Sequence, residues 1–145
     1  MKKSRLMKIL VEGRPEFLAK WTDAIEKASI VSVDRAPSTG LVMLKTRDSV
    51  SKQPFYMGEV LVTECSVSLD QHSGIGIVMG DDPVRSYQIA VIDAAMNAKL
   101  PITNQLLIEL EFEEAYIQQK VKEEAARIAK TKVQFDTMED YNAKS

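Results

Sequence analysis

The sequence predicts an α+β fold, an antiparallel four-stranded meander packed with helices and followed by a long C-terminal helix. One observation behind this prediction is the β-branched segment from Phe55 to Leu69, whose apolar positions recur at every second residue. Another is that short connections rich in turn residues join this segment to its strand-like neighbours, which favours antiparallel pairing. A third is the helical spacing of apolar residues on both sides of this region.

Two helices are predicted before the strands. Leu6, Ile9 and Leu10 are spaced for a short amphipathic helix that stops at a glycine, and Pro15 suits the first turn of a second helix. Trp21 lies on the apolar face of that second helix. It could stack on a ligand, but this position favours a place in the core.

Apolar runs separated by turn-forming residues predict four strands. They cover residues 30–34, 41–47, 55–69 and 75–79, with turns at 36–40 and 70–74. In the long strand, alternate residues from Leu61 to Leu69 form one apolar face, so Leu61→Ala is expected to destabilise the fold by about 2–5 kcal/mol. Cys65 lies on the same face, which favours an inert buried thiol over a nucleophile.

The helix after the last strand is predicted to begin at Asp82, which can cap it, with Pro83 in its first turn. One stripe of this helix is rich in alanine and is expected to approach the sheet closely. Ile89, Ile92 and Met96 form a second apolar stripe on roughly the opposite side. That stripe must meet another helix or another chain, and we predict that it faces a partner.

The last helix is predicted to be an arm over residues 103–133. About thirty residues at 1.5 Å each give roughly 45 Å, more than the diameter of about 38 Å expected for a compact domain of this length. One apolar stripe follows the whole arm, and Ile108 and Phe112 add a second apolar side in its first half. Length and two apolar sides favour an arm that docks on a partner.

Residues 134–145 are predicted to form an extended tail within the single domain of residues 1–145. Val133, Phe135 and Thr137 lie two apart, which is the period of an extended segment. An isolated extended segment must satisfy its backbone groups with water or another chain. We therefore predict that Phe135 and Met138 contact a partner.

Composition excludes several classes of function. The formal net charge of −2 gives no basic footprint for nucleic acid, and no apolar run is long enough to span a bilayer. The start of the chain lacks the features of a signal peptide, and Cys65 is the only cysteine. We expect a soluble cytoplasmic protein.

The sequence offers no clear catalytic, cofactor-binding or metal-binding constellation. The glycines from Gly74 to Gly80 lack the spacing of a dinucleotide fingerprint and lie within a strand pattern. His72, the only histidine, is expected in a solvated turn. Asp81 and Asp82 could bind a metal, but capping explains Asp82 more simply, and no ligand cluster accompanies them.

Several motifs together resemble the G subunit of the bacterial carbon-phosphorus lyase system. They are Thr39-Gly-Leu41, Gly58-Glu-Val-Leu-Val-Thr63, Gly80-Asp-Asp-Pro83, Ile92-Asp-Ala94 and Val133-Gln-Phe-Asp-Thr-Met138. The resemblance extends from about Met1 to Met138 and keeps the order and spacing of the motifs. After Met138 the chain is more acidic than this family pattern.

The resemblance implies a non-catalytic, structural subunit in phosphonate catabolism. It implies as partners the H, I and J subunits of the core complex and the L subunit. With H, I and L, the G subunit would support transfer of a phosphonate to the ribose C1 of ATP with displacement of adenine. The resemblance attributes nucleosidase chemistry to the I subunit and bond cleavage, by an iron-sulfur cluster with S-adenosylmethionine, to the J subunit. It supplies no catalytic residue or cofactor for this chain.

Two alternatives to the structural subunit remain open from the sequence. One is a stand-alone homodimeric binding domain that uses the same helices on itself. The other is an independent hydrolase that uses His72 with Asp81 or Asp82.

Overall fold

A computed structural model describes residues 1–47 and 54–144, and the side chains of residues 1–43 and 58–131. In these ranges the chain forms four helices and a three-stranded antiparallel sheet of order β1-β2-β3. The elements are α1 Lys3–Glu12, α2 Pro15–Ala28, β1 Ser32–Arg47, β2 Pro54–Leu69, β3 His72–Met79, α3 Pro83–Ala98 and α4 Thr103–Lys144. The α+β class and the long last helix are confirmed.

The sheet has three strands in the described ranges rather than the predicted four, because β1 spans both of the first two predicted strands. The predicted turn at 36–40 lies inside β1. Register shifts between Val33 and Arg35 and between Arg35 and Ser38 absorb the irregularity there. Pro37 is tolerated because β1 is an edge strand, where a missing N–H need not cost a ladder hydrogen bond.

The turn between β2 and β3 is tighter than predicted. Asp70 and Gln71 both have positive φ values, 49° and 66°, and Leu69 pairs with His72. Two left-handed central residues define the type I′ hairpin, whose twist matches that of the strands it joins. β3 therefore begins at His72 instead of Ile75.

α3 packs directly on β3 because two glycines leave room for its backbone. A Cβ atom at Gly74 would lie 2.2 Å from the Ala90 carbonyl oxygen, and one at Gly76 would lie 2.0 Å from the Ser86 carbonyl oxygen. The Ser86 hydroxyl donates to the Gly76 carbonyl at 2.9 Å. The repeated glycines thus serve close packing between helix and strand.

The inner face of β2 is the predicted one, but the core does not extend to its first half. Thr63, Cys65, Val67 and Leu69 are at most 1% exposed, whereas Leu61 is 40% exposed. The prediction that Leu61 is buried is wrong. β3 pairs with β2 only from Val62 to Leu69, so Leu61 lies on a two-stranded ribbon beyond the third strand.

The second apolar stripe of α3 meets the chain's own helices. Ile89 and Ile92 are fully buried, and Met96 is partly buried against the core. One turn earlier on this side, the Arg85 guanidinium donates to the carbonyls of Leu10, Val11 and Gly13 at the end of α1. The prediction of a partner-facing side is therefore wrong for Ile89 and Ile92.

α4 continues to Lys144, so the predicted change to an extended tail at residue 134 is not found. From Thr131 to Lys144 the sequence contains no proline or glycine to end a helix, and it includes good helix formers such as Gln134, Met138 and Ala143. The period-two pattern of Val133 and Phe135 is too short to overcome that continuity.

Candidate functional site

The first half of α4 is fixed to the body of the protein by its carboxylates. Leu106 and Leu110 on this half are fully buried, and acidic residues beside this apolar stripe reach bases on α1, on α2 and at the residue that caps α2. We call these ion pairs the clasp: Arg5–Glu114, Arg14–Glu113 and Lys20–Glu109. The acids that the sequence groups in this half of the helix therefore join α4 to α1 and α2.

Glu113 is the buried member of the clasp, with a side chain 1% exposed. It receives two hydrogen bonds of 2.9 Å from the Arg14 guanidinium and one of 3.2 Å from the Arg14 backbone N–H. These donors hold the pKa of Glu113 below its ordinary value although burial opposes that shift. The Arg14 guanidinium also lies 4.2 Å from the centre of the Tyr116 ring. Glu113 is thus a structural carboxylate.

The other two pairs of the clasp lie nearer to solvent. The Glu109 carboxylate accepts from the Lys20 ammonium at 3.0 Å and from the Trp21 indole N–H at 2.8 Å. Trp21 is 4% exposed, which confirms its place in the core. Arg5 and Glu114 form a bidentate pair with bonds of 2.6 and 2.9 Å.

Beyond the clasp, α4 leaves the body. Every residue from Gln118 to Thr131 is exposed. These fourteen residues span about 21 Å at 1.5 Å per residue.

An apolar stripe continues along this exposed segment. At 100° per residue, Ile117, Val121 and Ile128 fall on the same side of α4 as the buried Leu110. Val121 and Ile128 are 61% and 62% exposed. We call these three residues the arm stripe. It extends the core-facing side of α4 past the end of the core.

A groove of about 280 Å³ lies between α1 and α4 where the arm leaves the body. Ile9, Ile117 and Val121 provide its apolar lining, and Lys8, Glu12, Glu114, Gln118 and Lys122 provide its polar lining. The groove therefore connects the core to the arm stripe.

The opposite side of α4 carries a second apolar surface. Ile108 and Phe112, one turn apart, are 59% and 71% exposed. Both were predicted to face a partner, and their exposure leaves them accessible for that. Contact with a partner stays a prediction for both residues, as it does for Met96. Phe135 and Met138 lie outside the part of the chain whose side chains are described.

The sheet adds a third exposed apolar surface. Ile75, Ile77 and Met79 project from one face of β3 and are 51–71% exposed. Val62 pairs with Met79, and Val60 pairs with Val42, so this surface continues across β2 to β1. This surface was not predicted from the sequence. The alternation Ile75-Gly-Ile77-Val-Met79 was the signal that could have indicated it.

His72 and Asp82 lie too far apart to act together. β3 separates them, and its seven steps from His72 to Met79 span about 23 Å. The His72 ring instead lies 2.8 Å from the Asp70 carbonyl, and the Asp82 carboxylate caps α3 by accepting from the Arg85 N–H at 3.1 Å. The hydrolase hypothesis, which needed these residues together, is wrong.

Other reactive groups are equally dispersed. Burial raises the pKa of the Cys65 thiol, which is 1% exposed and therefore inert as predicted. Among the described side chains, those of residues 1–43 and 58–131, no three of His, Cys, Asp or Glu are grouped so that they could hold a metal ion. Across residues 1–47 and 54–144, no helix has the length and apolar character needed to cross a membrane.

Exposed apolar surfaces on a clasped helix and on a sheet are typical of a protein that binds other proteins. Its sequence identifies the particular family. The sequence model of the family described as phosphonate metabolism protein PhnG matches residues 1–139, and the chain belongs to this family. A similar protein is the alpha-D-ribose 1-methylphosphonate 5-triphosphate synthase subunit PhnG of Rhizobium meliloti strain 1021. The two are 29% identical over 135 residues, which cover 91% of this chain and 85% of the relative.

Proposed function

We propose that this chain is a non-catalytic structural subunit of a synthase complex that makes ribose 1-methylphosphonate 5-triphosphate. The related protein of Rhizobium meliloti carries the name of a subunit of that synthase. By the family resemblance, the reaction moves a phosphonate to the ribose C1 of ATP and displaces adenine. The partners would be the H, I and J subunits and the L subunit, in the cytoplasm.

The observation that carries this proposal is the arm stripe. Its residues continue the core-facing side of α4 where the chain itself provides no core, and Val121 and Ile128 remain more than half exposed. Burying apolar surface stabilises a protein by about 25 cal/mol per Å². A partner that covers the arm stripe would therefore gain affinity from residues that the isolated chain leaves in water.

The total surface of the chain supports the same conclusion. Its accessible surface is 10248 Å² for a mass of 16.2 kDa. A compact monomer of that mass exposes about 7,500 Å². The excess of about 2,700 Å² is at the upper end of the roughly 1,000–2,500 Å² that each partner contributes to an obligate interface.

The proposal is tested by introducing charge on the arm stripe. Val121→Glu combined with Ile128→Glu should weaken co-purification with the H, I and J subunits at least tenfold, because two carboxylates would lose water on docking. The thermal midpoint of the isolated chain should not change, since both residues are exposed there.

The matched control is Gln119→Glu combined with Ala126→Glu. These residues have the same seven-residue separation, are also exposed and lie on the opposite side of α4. They should leave co-purification near the wild-type level. Equal binding by the stripe variant and the wild type would contradict the proposal, and so would an equal loss in the control. A stable dimer of the isolated chain that the stripe variant abolishes would instead favour the stand-alone homodimer.

A further inference from the structure

The hairpin of β1 and β2 extends past the rest of the sheet as a two-stranded ribbon. β1 pairs with β2 as far as Arg47 and Pro54, but β3 pairs with β2 only from Val62 onward. Gly80, with φ of 85°, then turns the chain away into α3. No described strand pairs with β2 between Pro54 and Leu61 on the side away from β1. We call this side of β2 the vacant edge.

The backbone of the vacant edge presents hydrogen-bonding groups. The Leu61 carbonyl points to this side, because it accepts the Gly80 N–H at 2.8 Å. In a strand, the N–H and the carbonyl of one residue point to the same edge, and the edge alternates from one residue to the next. Glu59 is two residues from Leu61, so its N–H and carbonyl also point to the vacant edge. The Leu61 carbonyl already has a partner, so a third strand beside the ribbon would satisfy the backbone groups of Glu59.

Apolar cross-strand pairs lie on both faces of the ribbon at the end of the vacant edge nearest β3. Leu41 and Leu61 form a cross-strand pair on the inner face and are 64% and 40% exposed. Val42 and Val60 form the next pair on the outer face, where Val42 is 46% exposed. A strand flanked by apolar neighbours on both faces is itself apolar at successive positions, as in the buried strands of a covered sheet.

We propose that the vacant edge of β2 receives a short apolar β-strand from another subunit of the complex. The unpaired backbone groups select an extended polypeptide, and the two apolar faces select its side chains. The inference rests on the proposed function, because it places one of the contacts of that assembly. It adds a site on the sheet to the docking surfaces of α4.

A second copy of the chain fits this edge poorly through its own vacant edge. Since β3 ends beside Val62, two symmetric copies could overlap only over residues 54–61. That overlap would place the segment from Glu59 to Leu61 of one copy beside the part of β2 in the other copy that lies beyond the register shift at Leu44/Lys45. The regular parts of the two edges would not face each other.

The other strand edges of a second copy are also unsuitable. On β3, the Asp93 carboxylate accepts the Ile75 N–H at 3.0 Å, and the Asn97 amide donates to the Ser73 carbonyl at 2.7 Å. These side chains occupy two of the backbone groups that an added strand would use. Pairing through the outer edge of β1 would join unlike surfaces and produce an open chain of copies rather than a closed pair.

The test uses proline at two residues that face each other across the ribbon. Glu59 and Met43 are cross-strand partners, and their N–H groups point to opposite edges. Glu59→Pro removes an N–H from the vacant edge and should weaken binding to the H, I and J subunits about tenfold or more. Met43→Pro removes an N–H from the outer edge of β1, and this variant should bind the H, I and J subunits as the wild type does. Glu59→Ala, which keeps the N–H, controls for the lost charge.

Hydrogen exchange supplies the second measurement. In the complex of the full chain with the H, I and J subunits, amides of residues 58–62 should exchange at least tenfold more slowly than in the isolated chain. An intact complex with unchanged exchange there would overturn this inference and leave the proposed function standing. Failure of the wild-type chain to assemble would overturn the proposed function itself. Protection that rises with the concentration of the isolated chain would assign the edge to a second copy and overturn the inference.

Discussion

Glu113 joins the start of α2 to α4 through charged hydrogen bonds in a water-poor position. The substitution Glu113→Gln keeps the shape of the side chain but removes its charge. Hydrogen bonds to charged groups contribute about 1.5–3 kcal/mol, so we expect a loss of that size in the free energy of unfolding at pH 7. Urea denaturation measures it. Glu111→Gln, the same change at an exposed position on α4, should cost less than about 0.5 kcal/mol.

The pH dependence of this loss follows from the lowered pKa of Glu113. The unfolded chain takes up the proton near the ordinary value of 4.5, and the folded chain takes it up only at lower pH. The carboxylate therefore contributes its full stability above pH 4.5, and this contribution is lost as the pH falls through the folded pKa. The difference between wild type and Glu113→Gln should shrink as the pH falls below 4.5. A difference that stays constant would mean that Glu113 acts through packing alone.

At the scale of elements, the contact between α3 and β3 depends on the absence of side chains. A methyl group at position 76 would lie 2.0 Å from the Ser86 carbonyl oxygen, which is backbone and cannot turn aside. Gly76→Ala should therefore reduce the free energy of unfolding by about 1–3 kcal/mol or more, measured by urea denaturation. In β1, a Cβ atom at Gly40 would meet nothing within 4 Å. Gly40→Ala should change stability by less than about 0.5 kcal/mol, and an equal loss in both variants would refute the packing argument.

At the scale of the whole molecule, the body and the arm should be separable. The buried residues of α4 end at Glu113 within the described side chains, and every residue from Gln118 to Thr131 is exposed. Truncation after Ala129 should shift the thermal midpoint by less than about 3 °C, the shift that 1 kcal/mol produces in a chain of this size. It should weaken co-purification with the I subunit, since part of the arm is removed.

A shorter chain provides the control for this truncation. Ending the chain after Phe112 also removes two carboxylates of the clasp, Glu113 and Glu114, and should lower the thermal midpoint strongly. If truncation after Ala129 also lowers the thermal midpoint strongly, the end of α4 belongs to the core of the chain. Unchanged co-purification after that cut would contradict docking through this segment.

The amino-acid sequence alone determined the local elements of this protein. Helix starts at Pro15 and Pro83, the stop at Gly13 and the cap at Asp82 follow from backbone geometry and hydrogen bonding within a few residues. The inner face of β2 followed from its period of two, and the resemblance of the motifs agreed with the family that the comparison shows.

Only the tertiary structure decided which apolar residues are covered. Leu61 and Val67 share one face of β2, yet only Val67 is covered, because β3 ends at Met79, which pairs with Val62. Ile89 and Phe112 both lie on apolar helical stripes, yet Ile89 is buried and Phe112 is 71% exposed. Period and composition show which side of an element is apolar, whereas burial depends on what the fold brings against that side.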